Sequence, residues 1–154
     1  MSLDQTDIKI LEILQENGRI TNVKLAEMVG ISPPSMLERV RKLEAAGIID
    51  KYVALLDRKK IGYGLMAIII VSLSLHQVSS LNTVIEKLAS LEEVQECSPL
   101  TGDVDFLLKV AVKDMDSYTV FVNTKLSGIP GIRNIKTSFV LSIIKNKTSF
   151  CLTA

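Results

Sequence analysis

The sequence has no tryptophan, one histidine, two cysteines and four prolines among 154 residues, and aromatic side chains make up only 5% of it. Each scarcity excludes something. A single histidine, His76, with two distant cysteines, Cys97 and Cys151, gives no recognisable zinc set and no CxxC pair. Two lone thiols fit a reducing compartment better than a disulfide-stapled secreted domain. No basic-then-apolar leader opens the chain, so the expectation is a protein that is not exported. The longest apolar run, LMAIIIVSLSL, is far shorter than the roughly 20 residues a membrane helix needs and reads as a buried strand. A phosphate-binding glycine loop is missing, since GYG and GIPG match no such pattern. Nothing here points to an enzyme, a cofactor or a metal, and a cytoplasmic location is expected.

A strong charge of either sign is also absent: the net charge is +1. Residues 1–60 carry ten Lys/Arg against nine Asp/Glu, and residues 61–154 carry eight against eight. Only the stretch from Ser32 to Lys60 is unbalanced, with seven basic residues against four acids. Any basic patch is therefore local.

What is present changes period halfway along. LDQTDIKILEILQENG, TNVKLAEMVG and the run from Pro33 to Ala46 have helical spacing. Their expected N-caps are Asp4, then Thr21 or Asn22, then Ser32. Ile48–Leu56 reads as an extended pair, a wing. DRKKIGYG, residues 57–64, is charged and aperiodic and reads as a linker, its Arg58, Lys59 and Lys60 kept in water. From residue 65 the order strand, helix, two strands about Thr101-Gly102-Asp103, helix, strand predicts a βαββαβ unit with both helices on one face of an antiparallel sheet. The last strand is expected to run through IRNIKTSFVLSIIK, and Asp116 or Ser117 to cap the second helix. The other sheet face needs a cover, and a second copy of the chain is the simplest one. The fold class is thus α+β: residues 1–56 a winged helix-turn-helix, residues 65–154 a ferredoxin-like domain.

ISPPSMLERVRKLE carries the most information. With Val40 at the centre of one helix face, Met36, Leu37, Leu43 and Glu44 fall within about 60° of it. Ser35, Glu38 and Lys42 point the opposite way with Pro34 at their edge, and Arg39 and Arg41 sit on the flanks. Short polar groups outward with an arginine on each shoulder suit a major groove, where base edges meet the middle and phosphates the shoulders. Pro at the helix start wastes no N–H, and the free first-turn amides suit a phosphate. Ala26 and Gly30, four apart, mark a close helix approach. Against this, Glu38 and Lys42 form an ordinary i,i+4 pair, and a lone charged helix face is usually only solvated.

LDQTDIKILEILQENGRIT, LAEMVGISPPSMLERVRKLEAAGII, VQECSPLTGDVDFLLKV and LSGIPGIRNIKT, in this order and spacing, resemble the Lrp/AsnC family of feast/famine regulators, the leucine-responsive regulators in particular. The resemblance implies a winged helix-turn-helix joined to a βαββαβ (RAM) effector domain that dimerises, with dimers often assembling to octamers. It implies that Ser32, Pro34, Ser35, Glu38, Arg39, Arg41 and Lys42 line double-stranded DNA. It also implies an amino-acid site at the hairpin loop of Thr101, Gly102, Asp103 and Asp105, with Tyr118, Thr137 and Ser138, beside Phe139, as further pocket candidates. Hairpin geometry alone accounts for Gly102, and Tyr118 on a helix face is more often core or interface. The effector expected from overall similarity is leucine or methionine, the location cytoplasmic and nucleoid-associated. Two other readings stand beside this regulator: a DNA-compacting architectural protein, and an amino-acid sensor acting through protein partners.

Overall fold

The computed structural model describes residues 2–74 and 81–152, so His76, expected in a solvated loop, lies outside the described residues. The chain divides into two compact units, Met1–Leu55 with Lys145–Ala154, and Leu56–Ile144. This corrects the expected domain limits at the C-terminal end. Residues 145–152 belong with the N-terminal unit, because Leu152 packs against its core and Gln15 hydrogen-bonds the Phe150 backbone.

The first unit is built on α1 (Gln5–Glu16), α2 (Asn22–Val29) and α3 (Pro33–Ala45). Its helix starts are set by local hydrogen bonds. The Asp4 carboxylate accepts the Asp7 N–H at 2.8 Å, and the Asp7 carboxylate accepts the Asp4 N–H at 3.2 Å, a reciprocal capping box. Thr21 accepts the Lys24 N–H, which resolves the choice between Thr21 and Asn22. Ser32 accepts the Ser35 N–H, and Pro33 is the first residue of α3. Asn22 takes another part, its side-chain amide donating to the Pro33 carbonyl at 2.8 Å and tying α2 to α3. Gly30 has φ 88°, and a Cβ there would meet nothing within 4 Å. Its role is the left-handed turn after α2 rather than the close helix approach expected of it.

Ile10, Leu11, Leu25, Ala26, Met36 and Leu43 form the core of this unit. Each large side chain contributes roughly 1.5–3 kcal/mol by leaving water. Leu37, expected on the apolar face, is 40% exposed, whereas Met36 and Leu43 are fully buried. The buried face of α3 is therefore centred on Met36 and Leu43, about 50° away from Val40 at 100° per residue. The expected wing forms no strand: residues 50–57 join no sheet ladder among the described residues. Val53, Leu55 and Leu56 are 66–71% exposed there. A strand needs a neighbour to take up its N–H and C=O groups.

In the second unit β1 (Leu65–Leu73), α4 (Leu81–Ala89), β2 (Val94–Pro99), β3 (Phe106–Val112), α5 (Met115–Val120) and β4 (Ile132–Phe139) give the βαββαβ order. The antiparallel sheet runs β2-β3-β1-β4. Alternation along the strands sends Ala67, Ile69, Val71, Phe106, Leu108, Val110 and Val112 to the helix side, where Val84, Leu88, Phe121 and Leu126 cover them. On the other face Ile68 lies between Lys109 and Ser138, and Ile70 between Leu107 and Lys136.

Three local expectations change. Asp114, not Asp116 or Ser117, caps α5, its carboxylate accepting the Ser117 N–H at 2.8 Å. The last strand ends at Phe139 rather than continuing to Lys145, with one more backbone bond from Val140 to Met66. Finally, α5 runs on as a π-helical turn, Phe121–Leu126, in which the Ser127 N–H reaches back to the Val122 carbonyl. In an α-helix Phe121 and Leu126 would point about 140° apart. The wider turn lets both be buried on one face.

Candidate functional site

Along the outer side of α3, Ser32, Pro34, Ser35, Glu38, Arg41 and Lys42 are all exposed. The short Ser32–Ser35–Pro34 end is held by the cap, and the Ser32 hydroxyl also donates to the Ser35 hydroxyl at 2.9 Å. Lys42 pairs with Glu38 at 2.9 Å, and both side chains remain mostly in water. That pair holds the Glu38 carboxyl below its ordinary value, but an exposed i,i+4 bridge gives little stability. Arg41 has no carboxylate partner among the described residues, so its charge is available to a ligand.

Arg39 is different from its neighbours. It is half-buried, and its guanidinium sits 2.8 Å from Asp4 and 2.7 Å from Asp7, the two capping residues of α1. The Asp7 side chain is 7% exposed. Hydrogen bonds from the Asp7 backbone and then from Arg39 hold the Asp4 carboxyl below its ordinary range, while Asp4 and then Asp7 raise Arg39. Asp7, Ile31, Ser35, Glu38, Arg39 and Lys42 line a depression of about 460 Å³ on this side of the domain. Sequence reasoning identified Asp4 as a cap but missed Asp7 as a partner of α3. The Asp-x-x-Asp spacing signals the capping box, and nothing local signals the long-range ion pair.

The second set of expected residues lies in the βαββαβ unit and is brought together only in part. Thr101, Gly102 and Asp103 are exposed in the β2–β3 loop, with Gly102 at φ 110° as the hairpin requires. Asp105 is engaged structurally: its carboxylate accepts the Leu73 N–H at 2.7 Å and its backbone pairs with Val71 and Leu100. Tyr118 and Thr137 meet, their hydroxyls 2.6 Å apart, and the Tyr118 ring packs edge-on to Phe139 with centroids 4.9 Å apart. Ser138, opposite Ile68, points to the other side of the sheet from Thr137. Hence Tyr118, Thr137 and Phe139 form one cluster, the loop carboxylates a second group, and Ser138 stands apart. Among the described residues, no three His, Cys, Asp or Glu side chains are placed to hold a metal ion, and no helix is long and apolar enough to cross a membrane.

Comparison with known proteins gives both halves a counterpart. Residues 3–50 match a winged helix-turn-helix DNA-binding domain, and residues 66–150 match the Lrp/AsnC ligand binding domain. The leucine-responsive regulatory protein of Escherichia coli K12 is 39% identical over 146 residues, covering 93% of this chain and 87% of that protein. The transcriptional regulator AzlB of Bacillus subtilis is 38% identical over 147 residues, covering 96% and 94%. Among solved structures, a transcriptional regulator from Neisseria meningitidis in complex with L-Met is 41% identical, with a TM-score of 0.93 over 97% of both chains. Escherichia coli AsnC is 30% identical, with a TM-score of 0.89 over 97% of this chain and 99% of that one. Sequence, domain order and fold agree along almost the whole length, and the chain belongs to the Lrp/AsnC family of transcriptional regulators.

Proposed function

We propose that the protein binds specific duplex DNA through α3 and that a free amino acid, leucine or methionine, modulates this binding or the assembly of the protein. The observation that carries the DNA reading is the exposed outer face of α3, where Ser35, Glu38, Arg41 and Lys42 stand clear of the core on a capped helix. Ser32 and Pro34 bring the first-turn amides to a phosphate, Arg41 meets the backbone, and Ser35, Glu38 and Lys42 face base edges. Leucine and methionine are favoured because relatives bear the name leucine-responsive and a similar structure holds L-Met.

The effector site in this reading is formed by Thr101, Gly102, Asp103 and Asp105 with Tyr118, Thr137 and Ser138, at a contact between subunits. A loop carboxylate suits the ligand ammonium. The separation of these groups within one chain supports a site completed by a neighbouring copy. The sheet face carrying Ile68, Ile70 and Leu107 supports a homodimer, with further assembly to an octamer and residence on DNA in the cytoplasm. Two α3 helices per dimer then enter successive major grooves about 34 Å apart, giving a roughly palindromic operator. No catalytic role is assigned to any residue.

A thermal-shift screen of the twenty amino acids, followed by selection of bound duplexes from a random pool, tests this. A ligand that binds only the folded protein raises its melting temperature in a dose-dependent way. A hit with leucine or methionine, together with a selected palindrome, is the expected result. A selected palindrome without any hit would leave a regulator that senses no amino acid. Broad binding without a motif or a hit would favour the DNA-compacting reading.

A further inference from the structure

Arg39 is the one basic side chain of α3 that faces inward. It lies three residues from Met36 and four from Leu43, within about 60° of both on the helix, whereas Arg41 lies about 140° from Met36. Its guanidinium reaches α1 and joins both halves of the capping box, Asp4 at 2.8 Å and Asp7 at 2.7 Å. Those two carboxylates are already fixed, each by the other's backbone N–H. A single guanidinium nitrogen, Nη1, donates to both preorganised acceptors, so the side chain cannot slide or rotate without breaking charge-assisted hydrogen bonds. The contact spans 35 and 32 residues of sequence, so it sets how α3 lies against α1 rather than how either helix forms.

We infer that Arg39, Asp4 and Asp7 act as a bolt between α1 and α3, so that Arg39 is a positioning residue for DNA recognition and not a phosphate contact. The charges agree with this assignment. One guanidinium between two carboxylates leaves the cluster net negative, which repels a phosphate, while Arg41 on the outer face carries an uncompensated charge. The packing agrees as well. Asp7 is nearly buried, and withdrawing Arg39 to reach DNA would leave that carboxylate without its cation. The helix-turn-helix thereby gains a constraint that its short α2 does not supply. Asn22 ties α2 to the start of α3, and Arg39 ties the middle of α3 to the start of α1. The recognition helix is thus held at two points about two turns apart.

The inference rests on α3 being the helix that reads DNA, and the test separates the two claims. Mobility-shift titrations over a range of salt are made with a duplex selected from a random pool by the native protein and with an unselected random duplex. Arg39→Ala, Asp7→Asn and Asp4→Asn are each expected to lower the preference for the selected duplex about tenfold, the loss of one well-placed base contact. The salt slope of Arg39→Ala stays that of the native protein. Arg39→Lys, which keeps the charge as a compact ammonium on a flexible stem, falls in between. Asp4 is half-exposed and Asn caps a helix as well as Asp does, so Asp4→Asn remains informative should Asp7→Asn impair folding. Arg41→Ala is the control and lowers the slope by about 0.9, one phosphate.

The bolt is overturned when Arg39→Ala lowers the slope by that same amount and the two aspartate variants keep the native preference. Asp4 and Asp7 stand at the start of α1, outside the reading helix, so a weaker preference in Asp4→Asn or Asp7→Asn reports the setting of α3 and not a lost phosphate contact. If Arg41→Ala and Lys42→Ala also leave DNA binding unchanged, α3 is not the reading helix and both claims fall together.

Discussion

The side-chain amide of Gln15 forms two hydrogen bonds with the backbone of Phe150, its Nε2 donating to the carbonyl at 3.1 Å and its Oε1 accepting the N–H at 2.6 Å. A glutamine amide can match an extended peptide group in this way because it offers one donor and one acceptor side by side. The pairing clamps a tail that has no strand partner among the described residues, and Leu152 beyond it packs on the core of the N-terminal unit. Leu3, Leu11, Leu14, Ile48, Ile49 and Tyr52 line the depression that receives it. A chain ending at Ile144 is expected to lose roughly 2 kcal/mol of stability in this unit, from one partly buried leucine and two hydrogen bonds. Urea unfolding followed by far-UV circular dichroism measures it. An unchanged transition would mean the tail contributes nothing to the unit.

Asp103 and Asp105 are two residues apart and have different duties. Asp105 anchors the loop to β1 through the Leu73 N–H, whereas Asp103 makes no side-chain hydrogen bond among the described residues. Asp105→Ala should therefore cost about 1–2 kcal/mol of stability whatever its effect on ligand binding. Asp103→Ala should leave the melting temperature of the free protein unchanged and weaken the shift given by an amino-acid effector. Equal loss of stability in both variants would contradict this division.

Gly64 sits just before β1, with its N–H bonded to the Lys113 carbonyl. A Cβ at this position would come within 2.7 Å of that same oxygen. Gly64→Ala must push β1 and the residue after β3 apart, and overpacking of this kind costs about 1–3 kcal/mol. Differential scanning calorimetry should show a lower melting temperature for the effector domain. A stability equal to that of the native chain would show that the backbone there yields freely.

Three carboxyls lie below their ordinary range in the folded protein: Asp4, held first by the Asp7 N–H and then by Arg39, Glu38, held by Lys42, and Asp114, held by the Ser117 N–H. A depressed folded pKa stabilises the native state at pH above the unfolded value, and that stability is lost as pH falls through the folded value. The ordinary values are 3.8 for the aspartates and 4.5 for the glutamate. Stability should therefore begin to fall below about pH 4.5 and continue falling through the lower folded values. Asp114→Asn, which keeps the cap but not the charge, should shallow the decline seen in urea midpoints between about pH 5 and pH 3. A decline as steep as that of the native chain would assign the acid sensitivity elsewhere.

The fold itself is written in short-range terms. The Asp4 and Ser32 caps, the hairpin glycine at 102 and the apolar runs of β1 and β3 depend on neighbours within four residues or on side-chain period. They were legible without coordinates. The outer face of α3 was legible for the same reason, to within about 50° of its true setting.

The sequence by itself determined the three helices of the first half, the βαββαβ order of the second and the change of period between them, but not that residues 48–56 form no strand or that the last strand stops at Phe139. Only the tertiary structure decided that Arg39 turns inward to Asp4 and Asp7 while Arg41 stays in water, and that the last residues return to α1 through Gln15. It also decided that Asp114 wins the cap of α5 and that a π turn buries Phe121 with Leu126. Two flanking arginines look alike at 100° per residue, since helical spacing records hydrophobicity and not partners. Which of them is neutralised depends on how helices 32 residues apart in sequence cross in space, and packing settles that only when the whole core has formed.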